Sequence, residues 1–116
     1  MELQTLAENG TFAPALIADA LRTTREEIAQ TVGLGRDAVS RKDRIGTAKV
    51  QTRLREMIEI LNYVEPRFGS ALLAYAWYRS EPLAGFDGQT AMKLVQAGRA
   101  AEVMDYIDVV DAGVHA

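Results

Sequence analysis

VQTRLREMIEILNYV, residues 50–64, places Val50, Leu54, Met57, Ile58, Leu61 and Val64 at i, i+4, i+7, i+8, i+11 and i+14. With a helical period of about 3.6 residues, those six side chains fall on one face, so the stretch reads as a helix whose apolar stripe is core. The same spacing recurs through most of the chain, and no alternating run bounded by turn residues competes with it. The sequence therefore predicts an all-α fold of about seven helices, with no strands.

Working outward, the long helix covers 48–64 and Pro66 breaks or restarts the chain. Upstream, a helix over 12–22 carries Pro14 in its opening turn, where a missing amide hydrogen is harmless, and turns Leu16, Ile17, Ala20 and Leu21 inward. A second helix over 25–32 opens on a capping box of Thr24 and Glu27. Gly33 to Gly35 makes a tight turn into a short helix over 36–44. Downstream, ALLAYAWYR (71–79) is apolar all round and is expected at the centre of the fold. SEPLAGFDG (80–88) has turn chemistry and reads as a loop. Helices over 90–97 and 100–112 follow, closing on Gly98 and Gly113, each placed for a left-handed cap. No internal repeat or low-complexity segment is present. The chain divides into an N-terminal region, 1–64, and a C-terminal region, 65–116.

A length of 116 residues suits one domain with one core, and 48% hydrophobic against 25% charged residues excludes the signature of disorder. The absence of cysteine removes disulfides, thiolate metal sites and cysteine nucleophiles together, and fits a reducing cytoplasm. The N-terminus lacks a basic segment followed by an apolar run, and no apolar stretch approaches membrane-spanning length. Export and membrane insertion are not expected. Charge is distributed in blocks. Residues 22–55 hold nine bases against four acids, a net +5, whereas 56–116 hold four bases against nine acids, a net −5. A basic middle beside an acidic end suggests an anionic partner for the first and a different partner for the second.

TREEIAQTVGLGRDAVSRKDR, residues 24–44, fits the helix-turn-helix pattern that reads DNA. The pattern needs a small residue at the helix crossing, a residue tolerant of positive φ in the turn, and a branched apolar residue on the second helix. Ala29, Gly33 and Val39 stand at those places. Arg36, Asp37, Ser40, Arg41 and Arg44 then face outward, and Arg36, Ser40, Arg41 and Arg44 are the candidate contacts to bases and phosphates. Lys42 fits poorly, because a further apolar side chain is expected three residues beyond Val39. An ordinary helical hairpin with a solvated basic face is the competing interpretation.

LAGFDGQTAMKLVQAGRAAEVMDYIDVVDAGVHA, residues 83–116, resembles the C-terminal toxin-binding domain of antitoxins of the Xre, MbcA and ParS type. The resemblance rests on an ordered series: Pro82 and Gly85 in a loop, a helix from Thr90 to Ala97, the Gly98-Arg99 joint, a helix from Ala100 to Ala112, then Gly113 and a short tail. It implies a type II antitoxin that binds a RES-domain toxin, an enzyme that destroys NAD, and that represses its own operon through the N-terminal module. It also implies a homodimer and larger complexes with toxin. The implied toxin contacts are Trp77, Arg99, Gly113, Val114, His115 and Ala116, with the last residues turned off the helix axis by Gly113 and inserted in the toxin's active site. A stand-alone helix-turn-helix regulator with no toxin partner shares every DNA-binding feature and is the alternative.

Enzymatic function is not expected. The single histidine, His115, stands where positioning is poorest, and no phosphate-cradling glycine run follows a strand. Glu102, Asp105, Asp108 and Asp111 recur every third residue and so drift around their helix. They read as a solvated face able to meet a basic toxin surface, not as metal ligands. No cofactor is called for.

Overall fold

A computed structural model describes residues 1–115, apart from the side chains of residues 112, 114 and 115. The fold is all-α with one short hairpin. A 3-10 turn at Leu3–Leu6 leads into β1 (Ala7–Glu8) and β2 (Thr11–Phe12), followed by α1 (Pro14–Ala20), α2 (Arg25–Thr31), α3 (Asp37–Ser40), α4 (Lys42–Ile45), α5 (Ala48–Phe68), α6 (Ala71–Ser80), α7 (Ala91–Gln96) and α8 (Ala100–His115). Among the described residues no helix is long and apolar enough to cross a membrane.

The long helix α5 is the axis of the molecule. Thr47 caps it by accepting from the Val50 amide, and Gly69, with φ +81°, closes it by donating to the Glu65 carbonyl. The stripe Val50, Leu54, Met57, Ile58, Leu61 and Val64 is buried as its spacing requires. Ile60 lies outside that stripe and is buried too, because α5 is covered on more than one side: α6, α7 and α8 pack along it, and β2 and α4 meet its first turns. Full burial of side chains such as Leu54, Met57 and Leu61 contributes about 1.5–3 kcal/mol each. Leu6, Ile17, Leu21 and Ile28 from the N-terminal half join Tyr78, Leu94, Val103 and Ile107 from the C-terminal half in one core.

The structure departs from the sequence expectations in several places, Ala20 among them, which was expected inward and is exposed. A hairpin is present: Ala7 pairs with Phe12 and Glu8 with Thr11, across a turn in which Asn9 and Gly10 both have positive φ (51° and 81°). Its open edge is satisfied by a side chain. The Phe12 amide donates to Gln51 Oε1 (2.8 Å), while Gln51 Nε2 donates to the Phe12 carbonyl (3.0 Å) and the Ile45 carbonyl (2.9 Å), so one α5 amide stands in for a third strand.

The helix expected over 36–44 is two single turns, α3 and α4, separated by Arg41 in extended backbone (φ −95°, ψ 124°). Lys42 is exposed and Ile45 half-buried, so Ile45 takes the inward place that Lys42 cannot fill, and the chain breaks to bring it there. Among the described residues the helices accordingly number eight. Pro66 does not end the long helix. It sits in the last turn, where it costs α5 only the bond to the Asn62 carbonyl, and the helix runs on to Phe68. The 64/65 division therefore falls inside α5. Helix α6 is not central on all sides: Ala74, Tyr75 and Tyr78 are buried, whereas Leu72 and Leu73 are exposed. Finally, α8 does not close on Gly113. The helix continues to His115, and Gly113 is not in the left-handed region.

Candidate functional site

Three residues around the turn after α2 carry the helix-turn-helix expectation. Ala29 and Val39 are buried, and Gly33 has φ +77°. The Gly33 amide donates to the Gln30 carbonyl (3.0 Å) and the Leu34 amide to the Ala29 carbonyl (2.9 Å), the paired bonds of a glycine-closed helix end. Thr24 accepts from the Glu27 amide (3.1 Å), as the capping box requires. The Glu27 carboxylate turns elsewhere, accepting from Thr23 Oγ1 (2.5 Å) and Tyr75 OH (2.6 Å).

Arg36, Asp37, Ser40, Arg41 and Arg44 are all exposed, so the outward set is presented to solvent. It is not presented by one helix. Arg36 and Ser40 belong to the first short turn and its cap, with Ser40 Oγ donating to the Arg36 carbonyl (3.0 Å), and Arg44 belongs to the second. Arg41, at the break, pairs with Asp43 at 3.4 Å in the open, where such a contact adds little.

This unit is joined to the C-terminal elements by polar contacts that the sequence did not advertise. Arg53 Nη1 donates to the Val95 carbonyl (2.6 Å), the Val32 carbonyl (3.2 Å) and the Gln96 carbonyl (3.4 Å). The C-terminal ends of α2 and α7, both carrying partial negative charge, thus converge on one guanidinium. Gln96 Nε2 adds a bond to the Gln30 carbonyl (2.7 Å). Nearby, the buried Tyr78 OH donates to the Thr31 carbonyl (2.7 Å), and Tyr75 reaches Glu27 with the Arg79 guanidinium 4.3 Å from its ring centre. Burial raises the phenol pKa of Tyr78 and, with the Glu27 carboxylate, that of Tyr75. Both remain proton donors at neutral pH. The bonds from Thr23 and then Tyr75 hold Glu27 below the ordinary carboxylate range.

In the C-terminal half, the loop after α6 folds back on itself, with Pro82 bridged to Thr90 and a turn at Asp87 (φ 54°) and Gly88 (φ 80°). Thr90 caps α7 by accepting from the Lys93 amide (3.1 Å), and Gly98, at φ 78°, closes it, its amide donating to the Val95 carbonyl (2.9 Å) and the Arg99 amide to the Leu94 carbonyl (2.8 Å). Arg99 forms a two-pronged pair with Glu102 (2.6 and 2.8 Å) and lies 5.9 Å from the Phe86 ring centre. That pairing raises the Arg99 pKa and lowers that of Glu102. Phe86 in turn meets Tyr106 edge-on at 5.9 Å, tying the loop to α8. Trp77 is half-buried against Phe68 at 6.2 Å, linking α6 to the end of α5.

Helix α8 anchors through Val103 and Ile107; beyond Ile107 none of its described side chains is buried, and Val109 is 71% exposed. Its last two turns are held to α5 by the Arg67–Asp111 ion pair. Two members of the acidic row, Glu102 and Asp111, are therefore engaged within the chain, and Asp108 lies beside Tyr63, whose pKa it raises. Arg99 stands at the start of α8 and Gly113 near its far end, so the structure does not bring these two together, while the Val114 and His115 side chains and Ala116, expected to contact the toxin, lie outside the described residues.

No curated protein and no solved structure matches the chain. Residues 64–113, from the last two turns of α5 through the loop and α7 to the far end of α8, match the family model of the antitoxin Xre/MbcA/ParS C-terminal toxin-binding domain. Over that stretch, a little less than half its length, the chain is similar to the toxin-binding domain of these antitoxins, and the match supports an antitoxin role.

Proposed function

We propose that the protein is a type II antitoxin, a binding protein and not an enzyme, that inhibits a cognate RES-domain toxin by blocking the cleft where that toxin destroys NAD. The match of residues 64–113 to a toxin-binding domain carries this reading. The end of α8 supports its mechanism. A helix that has no fully buried described side chain beyond Ile107 is available to fill another protein's cavity, with Gly113, Val114, His115 and Ala116 entering and Trp77 and Arg99 meeting the rim. Because α8 runs straight through Gly113, insertion takes the form of a helix end, not of a bent tail. The protein acts in the cytoplasm, as a homodimer that assembles with toxin.

Autoregulation rests on the exposed Arg36, Ser40, Arg41 and Arg44 in the basic middle of the chain. For one groove to receive all four, Arg41 must move from extended to helical backbone so that α3 and α4 join. The test combines both surfaces. A chain lacking residues 114–116 should fold and bind operator DNA yet leave a co-expressed RES toxin consuming NAD. Arg41→Ala with Arg44→Ala should do the reverse, weakening operator binding while neutralisation persists. Full silencing of the toxin by the truncated chain would reject the blocking mechanism, and failure to co-purify with the toxin encoded beside it would reject the antitoxin role.

A further inference from the structure

The helix-turn-helix pattern asks for an apolar side chain three residues past Val39, and the chain has Lys42 instead. Ile45 takes that inward place only in part, being half-buried, and a cleft remains beside it. A cleft of about 410 Å³ lies between the hairpin, the first turn of α1 and the α3–α4 segment. Phe12, Pro14, Val39 and Ile45 give it apolar walls, with Pro14 and Val39 buried. Arg25 and Lys42 stand at its exposed margin, and neither forms an ion pair among the described residues. Glu8 is the one carboxylate among the lining residues.

We propose that this cleft binds a free small anionic amphiphile, an apolar body bearing a carboxylate or sulfonate. Its volume lies within the range of small-molecule sites, about 300–1,000 Å³, and its chemistry is divided as such sites are, with an apolar interior and a few charged groups at the mouth. The apolar body packs against Phe12, Pro14, Val39 and the half-exposed Ile45. The anionic group meets two cations that lack internal partners, next to low-dielectric walls that strengthen the attraction. A cationic amphiphile of the same size gains the burial and meets repulsion. Since Val39 and Ile45 lie on either side of Arg41, the occupant bears directly on the broken segment that carries the outward arginines.

The probe is anilinonaphthalene sulfonate, titrated into the full chain by fluorescence, with octanoate and octylamine as competitors. Saturable binding at one site per chain is expected, displaced by octanoate and not by octylamine. Arg25→Glu combined with Lys42→Glu should weaken it roughly tenfold, a change of the size that loss of one good polar contact produces. Ala15→Trp, which fills the mouth from the exposed side of α1, should abolish it. Should that variant fail to fold, the Arg25/Lys42 reversal decides alone. Equal displacement by octylamine, or affinity untouched by the charge reversal or by Ala15→Trp, would assign the dye to another surface, such as Leu72 and Leu73 on α6, and overturn the proposal.

Discussion

Gly33 and Gln96 are in direct backbone contact: a Cβ built on Gly33 would lie 2.9 Å from Gln96 Cα and 3.0 Å from its carbonyl oxygen. The turn after α2 and the end of α7 are therefore packed too closely to admit a side chain at Gly33, and its left-handed φ adds a second demand for glycine. Gly33→Ala should lower the unfolding free energy by about 2–4 kcal/mol, the left-handed cost plus the clash. Gly98 is the internal control. It shares the φ but meets only the Arg53 side chain at 3.7 Å, so Gly98→Ala should cost about 1–2 kcal/mol. Urea denaturation compares them, and equal losses would mean that the α2–α7 contact is not tight in solution.

Arg53 supplies the polar half of the same joint. Its charge belongs to the basic middle of the sequence but is spent on the carbonyls of Val32, Val95 and Gln96. Arg53→Met should cost about 2–3 kcal/mol, because charged hydrogen bonds to half-buried carbonyls are lost and the carbonyls are stranded. Lys at the same position should restore less than half of that, since an ammonium lacks the planar fork. Per folded molecule, nucleic-acid affinity should be unchanged by Arg53→Met. A drop as large as that from Arg41→Ala would show that Arg53 faces an outside partner.

Glu27 makes stability depend on acid pH. Thr23 and Tyr75 donate to its carboxylate and depress its folded pKa below 4.5, so as pH falls the unfolded chain takes up the proton first. The contribution is fully present above pH 4.5 and is lost as pH drops through the folded value. Glu27→Gln should therefore flatten the acid limb of the stability profile and leave its neutral-to-basic shape alone. Denaturation midpoints measured across that range check it. An acid limb identical to that of the parent would place the responsible carboxylate elsewhere.

Most of the helix order was legible because apolar spacing and end signals agreed: Thr24 caps as expected, and Gly33 and Gly98 close their helices. What escaped was set by partners distant in sequence. Asn9-Gly10 is a strong hairpin signal, but its two-residue strands are too short to alternate, and the residue that completes them, Gln51, is 39 positions from Phe12. The break at Arg41 answers to the inward demand on Ile45 and not to local helix propensity. Exposure of Arg36, Ser40, Arg41 and Arg44 could be read from the sequence; the use of Arg53 could not, because nothing in its neighbourhood marks a contact 42 residues away. Gly113 illustrates the remaining ambiguity. Glycine ends helices, yet it also sits within them when nothing demands the turn.

Gly113→Ala separates the two mechanisms for the C-terminal end. Gly113 is helical, not left-handed, and an added Cβ meets nothing within 4 Å, so alanine is free of strain there. Removing the entropic cost of glycine should firm the last turns of α8 by about 0.5–1 kcal/mol, visible as slower amide exchange around Asp108 to Ala112. If the toxin is blocked by a straight helix end, the substitution should leave inhibition intact or tighten it, since less ordering remains to be done on binding. If Gly113 instead bends the final residues into the toxin, alanine opposes the required backbone and inhibition should weaken. Slower exchange accompanied by weaker inhibition would restore the bent tail and reject the helix end as the form that binds.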